Sequence, residues 1–171
     1  MASLIEELIS TLEQEKDIYE ALVPISERKT RVIIESDLDA LQSITAQEQE
    51  AVDRINALEH KRAGVIVNIG TVLNRNPGSL SLTNLVKLLD KQPEEQKVLS
   101  ELHYNLKETI QRLVDINNQN KSLIEQSLEM IEFNMNFIQS TRMSPGNNNY
   151  TKSAVTMDTP AEQPKMFDAK Q

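Results

Sequence analysis

No cysteine occurs in this chain, which excludes disulfides and thiolate metal sites and suits a reducing compartment. Tryptophan is also absent, aromatic residues make up only 4%, and there are four glycines in 171 residues. So few aromatics and turn-formers disfavour an all-β fold. Met1-Ala2-Ser3-Leu4-Ile5-Glu6-Glu7 has no basic region ahead of its apolar residues, so no secretory signal peptide is expected. No uninterrupted apolar run approaches the roughly 20 residues of a membrane span. The excess of acids over bases leaves a formal net charge of −8, which phosphate backbones and anionic lipid surfaces repel. Nucleic-acid binding and membrane insertion are therefore not expected, and the expected location is the cytoplasm.

What is present is helical periodicity. Ser3 and Glu6 form a capping-box pattern ahead of Leu4, Leu8, Leu12, Glu15, Ile18, Tyr19 and Leu22. Pro24 interrupts, but Ile25, Lys29, Val32 and Ile33 resume the period, which predicts a kinked rather than terminated helix. Ser36 or Asp37 caps a second helix with a buried stripe of Leu38, Leu41, Ile44, Val52, Ile55, Leu58, Val65, Ile69 and Leu73. Gly64 and Gly70 lie inside it, each costing about 1 kcal/mol of helix propensity relative to Ala. The run from Asn74 to Ser79 is a turn signal, and Ser81 caps a short helix holding Leu85, Leu88 and Leu89. Pro93, with Glu94 and Glu95 behind it, opens a long last helix.

That last helix changes character along its length. At 100° per residue, Leu99, Leu102, Leu106, Ile110 and Leu113 form one stripe, which Ile124, Leu128, Ile131, Met135 and Ile138 continue past Asn117 and Asn120. A second apolar group, Met130, Phe133 and Phe137, sits about 140° away on a straight helix. It has two readings: packing against another helix of the same bundle, or an exposed surface for a partner helix. The polar residues at stripe positions, Glu15, Glu48, Arg62 and Asn120, are expected to set helix register. Composition turns polar and aperiodic after Gln139. The expected organisation is an all-α, elongated antiparallel bundle over residues 1–140, with three long helices and one short. Residues 141–171 form a flexible polar tail in this reading, unable to bury enough apolar area to offset its ordering entropy.

Catalytic chemistry has no foothold in the pattern. Ala57 stands three residues before His60 and Ser100 three before His103, so the Glu-x-x-His of di-iron bundles fails at both histidines. There is no His-x-x-x-His pair, no phosphate-binding glycine loop and no Gly-x-Ser-x-Gly. The acids Glu6, Glu7, Glu13 and Glu20 have the spacing of a solvated helix face. No enzyme activity and no cofactor are expected.

The chain resembles the FlgN family of flagellar export chaperones over essentially its whole length. The resemblance is carried by Glu15-Lys16-Asp17-Ile18-Tyr19-Glu20-Ala21-Leu22 with Lys29 in the first helix, and by Asp37-Leu38-Asp39-Ala40-Leu41, Glu48 and Glu59-His60-Lys61-Arg62 in the second. Asn117-x-x-Asn120-x-x-Leu123-Ile124-x-x-Ser127-Leu128 follows in the last helix, and then a polar tail with Tyr150 and Phe167-Asp168-Ala169-Lys170. The resemblance implies a cytoplasmic chaperone that binds the C-terminal helical segment of hook–filament junction proteins, keeps them unassembled and delivers them to the export gate. It places cargo contacts at Leu123, Met130, Phe133 and Phe137, and gate docking at Tyr150. Such a chaperone is expected to be a monomer or weak dimer. The alternative is a coiled-coil scaffold or homo-oligomeric structural protein that uses the same strip for self-association.

Overall fold

The computed structural model describes residues 2–89 and 92–142; the expected tail, with Tyr150 and Phe167, lies outside the described residues. The described residues hold four α-helices and no strand: α1 (Ala2–Glu35), α2 (Leu38–Val72), α3 (Leu82–Leu88) and α4 (Pro93–Arg142), with a 3₁₀ turn at Pro77–Ser79. The chain divides into a compact unit Met1–Phe133 and a second unit Asn134–Gln171, of which only the last turns of α4 are described. α1 runs through Pro24 without a break, as its resumed periodicity predicts, and begins at Ala2, so Ser3 lies in its first turn rather than capping it.

Two tight reversals join the helices. Ser36 (φ 56°) and Asn74 (φ 52°) take the left-handed conformation that closes a helix C-terminus. Around each, one N–H reaches back five residues, from Asp37 to Val32 O (3.2 Å) and from Arg75 to Gly70 O (2.9 Å). Asp37 then serves the next element, its side chain accepting from the Ala40 N–H at 3.0 Å to cap α2. Ser81 caps α3 in the same way, accepting from the Asn84 N–H at 3.2 Å.

The seams between α1 and α2 follow a 3-4 heptad spacing. On α1 they are Ile5, Leu8, Leu12, Glu15, Tyr19, Leu22, Ser26, Lys29 and Ile33; on α2, Leu41, Ile44, Glu48, Ala51, Ile55, Leu58, Arg62, Val65 and Ile69. All of these are buried or half-buried. This frame corrects the expected stripe. Leu38 is 76% exposed because it precedes the first seam position, Leu41, and Val52 is exposed because the seam admits its neighbour Ala51 at that level. Ile5 is fully buried where Leu4 is only half-buried, for the same reason.

The four polar seam residues do fix register. Glu15 accepts from Arg62 at 2.6 Å, and Lys29 donates to Glu48 at 2.6 Å. Glu15 and Lys29 stand two heptads apart, as do Glu48 and Arg62, so both pairs close only in one antiparallel alignment. Leu22 and Ile55 then meet between them in one apolar cluster. Asn120 ties α4 to α1: its amide donates to Ser26 O at 3.1 Å, and its Oδ1 accepts from the Thr30 hydroxyl at 2.6 Å. With Leu99, Leu102 and Leu106 packed beside Leu8 and Leu12, α4 runs parallel to α1 and antiparallel to α2.

The two glycines of α2 differ in kind. A Cβ on Gly64 would meet nothing within 4 Å, whereas one on Gly70 would lie 3.1 Å from Arg75 O and from Pro77 Cγ. Gly64→Ala should therefore raise stability by about 1 kcal/mol through helix propensity alone. Gly70→Ala should gain nothing or lose stability, because the turn beneath it has to shift. Urea unfolding of the two variants checks this contrast.

Glu15 has a second consequence. Burial pushes its carboxyl pKa above the ordinary 4.5; Arg62 opposes this and Glu59 adds to it. Its Oε1 is buried without a hydrogen-bond partner. A native pKa above the unfolded one means the folded state holds the proton more tightly. The stability contributed by this group is thus fully present below the unfolded pKa and is lost as pH rises through the raised native value. Unfolding of the wild type and Glu15→Gln between pH 4 and 8 should show the variant gaining relative stability as pH rises. A variant that loses ground instead would mean that attraction to Arg62 outweighs burial.

Candidate functional site

The apolar stripe of α4 is buried only as far as α1 can cover it. Leu99, Leu102, Leu106 and Leu113 are buried, but from Leu128 onward the expected continuation is exposed. The register gives the cause. Ser26 and Thr30 both meet Asn120, and α1 ends at Glu35, which falls at roughly residues 125–129 of α4 for helices of equal rise. Past that point Met130 stands where the seam would continue and is exposed, whereas Leu128 and Ile131 fall in the columns of the exposed Val114 and Lys121 and of Ile110 and Asn117, so the expectation that they continue the core is corrected. Met135 and Ile138, in the second unit, are likewise exposed.

The predicted partner residues fall at this uncovered end. Met130 is 68% exposed, Phe133 69% and Phe137 60%, while Leu123 is half-buried. Phe137 belongs to the second unit, the other three to the first. Packing of Met130 and Phe133 inside the bundle, the first of the two readings, does not occur. The heptad frame also regroups these residues. The buried positions Leu99, Leu106, Leu113 and Asn120 repeat every seven residues, and on that repeat Leu123, Met130 and Phe137 share one column with Leu102 and Ile116. Met130 is thus the continuation of a seam beyond the reach of α1, while Phe133 lies outside that column on the exposed face.

A second feature escaped the sequence pattern. Between α2 and α4, above α1, lies an open groove of about 720 Å³. Tyr19, Leu22, Ser26 and Lys29 form its floor; Val52, Ile55 and Asn56 stand on the α2 side, and Ile110, Val114 and Ile124 on the α4 side. Val52, Ile110 and Val114 are exposed there. The signal that would have found it is the heptad frame itself, since Val52 and Val114 are apolar residues that no seam position requires.

Charge gathers at one end of the groove. Glu15 and Glu59 share the single guanidinium of Arg62, at 2.6 and 4.0 Å. Tyr19 beside them has its hydroxyl pKa pushed up, first by burial and then by the negative charge of Glu59 and Glu15. At the other end Lys29 is held by Glu48, and Lys121 lies 4.0 Å from Glu125. Among the described residues no group of three or more histidines and acids is placed to hold a metal ion, and no helix is long and apolar enough to cross a membrane. What this surface offers is apolar contact with an acidic end.

A family model for "FlgN protein" matches residues 1–156. An uncharacterized protein of Bacillus subtilis (strain 168), YvyG, is 24% identical over 153 residues, covering 90% of each chain. No solved structure is significantly similar. The family match takes in all four helices, the register-setting polar residues and the uncovered end of α4. The chain belongs to the FlgN family of flagellar export chaperones.

Proposed function

We propose that the chain is a cytoplasmic chaperone for hook–filament junction subunits. It binds their C-terminal helical segments through Leu123, Met130, Phe133 and Phe137, keeps the subunits unassembled, and hands them to the export gate with Tyr150 as its docking residue. One observation carries the reading: in a flagellar export chaperone, the end of α4 holds closely spaced large apolar side chains that are exposed among the described residues. Leu128, Met130, Ile131 and Phe133 follow one another within six residues, too close to be scattered surface apolars. Burying a large apolar side chain contributes roughly 1.5–3 kcal/mol, so a few anchors suffice for stable capture. An amphipathic helix supplies such anchors at i, i+3, i+4 and i+7. Met130 and Met135 add side chains flexible enough to fit more than one subunit sequence.

Cargo capture of this kind is mainly apolar. It should show a negative heat-capacity change and only modest salt dependence in calorimetry. The free chain should be a monomer or weak dimer that forms a stoichiometric complex with cargo. A stable oligomer that ignores cargo would instead favour the scaffold.

Phe133 gives the sharpest substitution, because its exposure separates binding from folding. Phe133→Asp should weaken cargo binding at least tenfold, measured by isothermal titration, and leave helicity and the melting temperature unchanged. Unaltered affinity in a folded variant would remove the α4 end from the cargo site.

A further inference from the structure

We propose that the groove between α2 and α4 is itself part of the cargo site, seating an amphipathic helix of three to four turns whose end near Glu59 carries a Lys or Arg. This deepens the chaperone reading and rests on it. The geometry comes first. α1 has α2 and α4 packed along it, and the space left between those two is walled on both sides and floored below. A helix laid there would complete a four-helix arrangement of ordinary type.

Dimensions agree with that occupant. From Ile110 to Ile124 the α4 wall rises roughly 21 Å, and from Glu48 to Glu59 the α2 wall rises roughly 17 Å. Those lengths match a helix of about 11–14 residues. Two polar groups on the floor are already occupied: Ser26 O accepts from Asn120 and Lys29 is paired with Glu48. The open surface is therefore chiefly Val52, Ile110, Val114 and Ile124, which suits apolar side chains rather than a small polar ligand.

Charge sets the direction. At the Tyr19 end the groove is lined by Glu59, which lies 4.0 Å from a guanidinium already held by Glu15 at 2.6 Å, so its carboxylate is only partly neutralised. The opposite end is balanced, with Lys29 on Glu48 and Lys121 near Glu125. A cationic side chain on the partner would complete the first end, and the chain's net charge of −8 favours its approach.

Continuity joins the groove to the exposed end of α4. On the seven-residue repeat, Ile110, Asn117 and Ile124 lead to Ile131, and Val114 and Lys121 lead to Leu128. The wall of the groove thus continues along one open helix face to Leu128 and Ile131. A cargo segment leaving the groove meets Leu128 and Ile131 without changing face.

The test uses the full chain and a synthetic peptide spanning the C-terminal helical segment of a hook–filament junction subunit from the host bacterium. Its affinity is measured for wild type, Val52→Glu, Val114→Glu, Glu59→Gln and Phe133→Asp, with circular dichroism of each. Both valines are already exposed, so the substitutions should leave helicity and melting unchanged. The expected result is at least tenfold weaker binding for each valine variant. Glu59→Gln should weaken binding a few-fold and flatten its salt dependence. Wild-type affinity in folded Val52→Glu and Val114→Glu, with binding still lost in Phe133→Asp, would overturn the groove while the chaperone reading stands. No binding of the peptide to the wild type would overturn both.

Discussion

The register of the three long helices is held by polar residues placed inside otherwise apolar seams. Glu15 with Arg62 and Lys29 with Glu48 are separated by the same two heptads on their respective helices, so a slip of α1 against α2 breaks both at once. Asn120 does the same for α4, since its amide satisfies both Ser26 O and the Thr30 hydroxyl. A seam of leucines alone would tolerate neighbouring registers at similar cost. A buried amide or carboxylate does not, because an unpaired polar group in the seam forfeits a hydrogen bond and keeps its desolvation penalty. Glu15 shows the tension in the device: it secures the alignment, yet one of its oxygens is buried without a partner.

The proposed cargo surface follows from where that register stops. With Asn120 opposite Ser26 and Thr30, α1 ends before the apolar content of α4 does, and Met130 is left exposed at the seam beside the exposed Leu128, Ile131 and Phe133. The same alignment keeps α2 and α4 on separate sides of α1 and leaves the groove between them. Neither feature needs a moving part. Both arise because the seam-setting residues align helices of unequal reach, and both present apolar surface in a chain whose charge otherwise keeps it in water. A chaperone for aggregation-prone helical segments needs that combination: enough apolar area to replace a subunit's missing neighbours, and enough charge to stay dispersed meanwhile.

Much of this was legible in the chain, and the reasons divide cleanly. Asp37, Ser81 and Pro93 mark helix starts through local chemistry, so the structure keeps them. Glu15, Glu48, Arg62 and Asn120 were recognisable as register residues because polar side chains at seam positions have few other uses. Val52 was misplaced because a 3.6-residue period and a 3.5-residue one differ by only about 20° per heptad. Over the length of α2 that drift is enough to exchange Val52 for Ala51 at the seam. The same drift took Leu128 and Ile131 out of the seam, while the exposure of Met130 was not legible, since it depends on where a different helix ends once the register is set. The groove was hidden for a related reason: its floor and two walls come from three helices distant in sequence, and no one helix carries a mark of it.

The central claim, that this chain captures flagellar subunits, is tested most directly by co-purifying the tagged full chain from a flagellated host lysate, with mass spectrometry and stoichiometry of what is retained. The account predicts recovery of hook–filament junction subunits at close to one per chain. A clean, self-associated preparation that retains no such subunit would contradict it and leave a structural scaffold in its place.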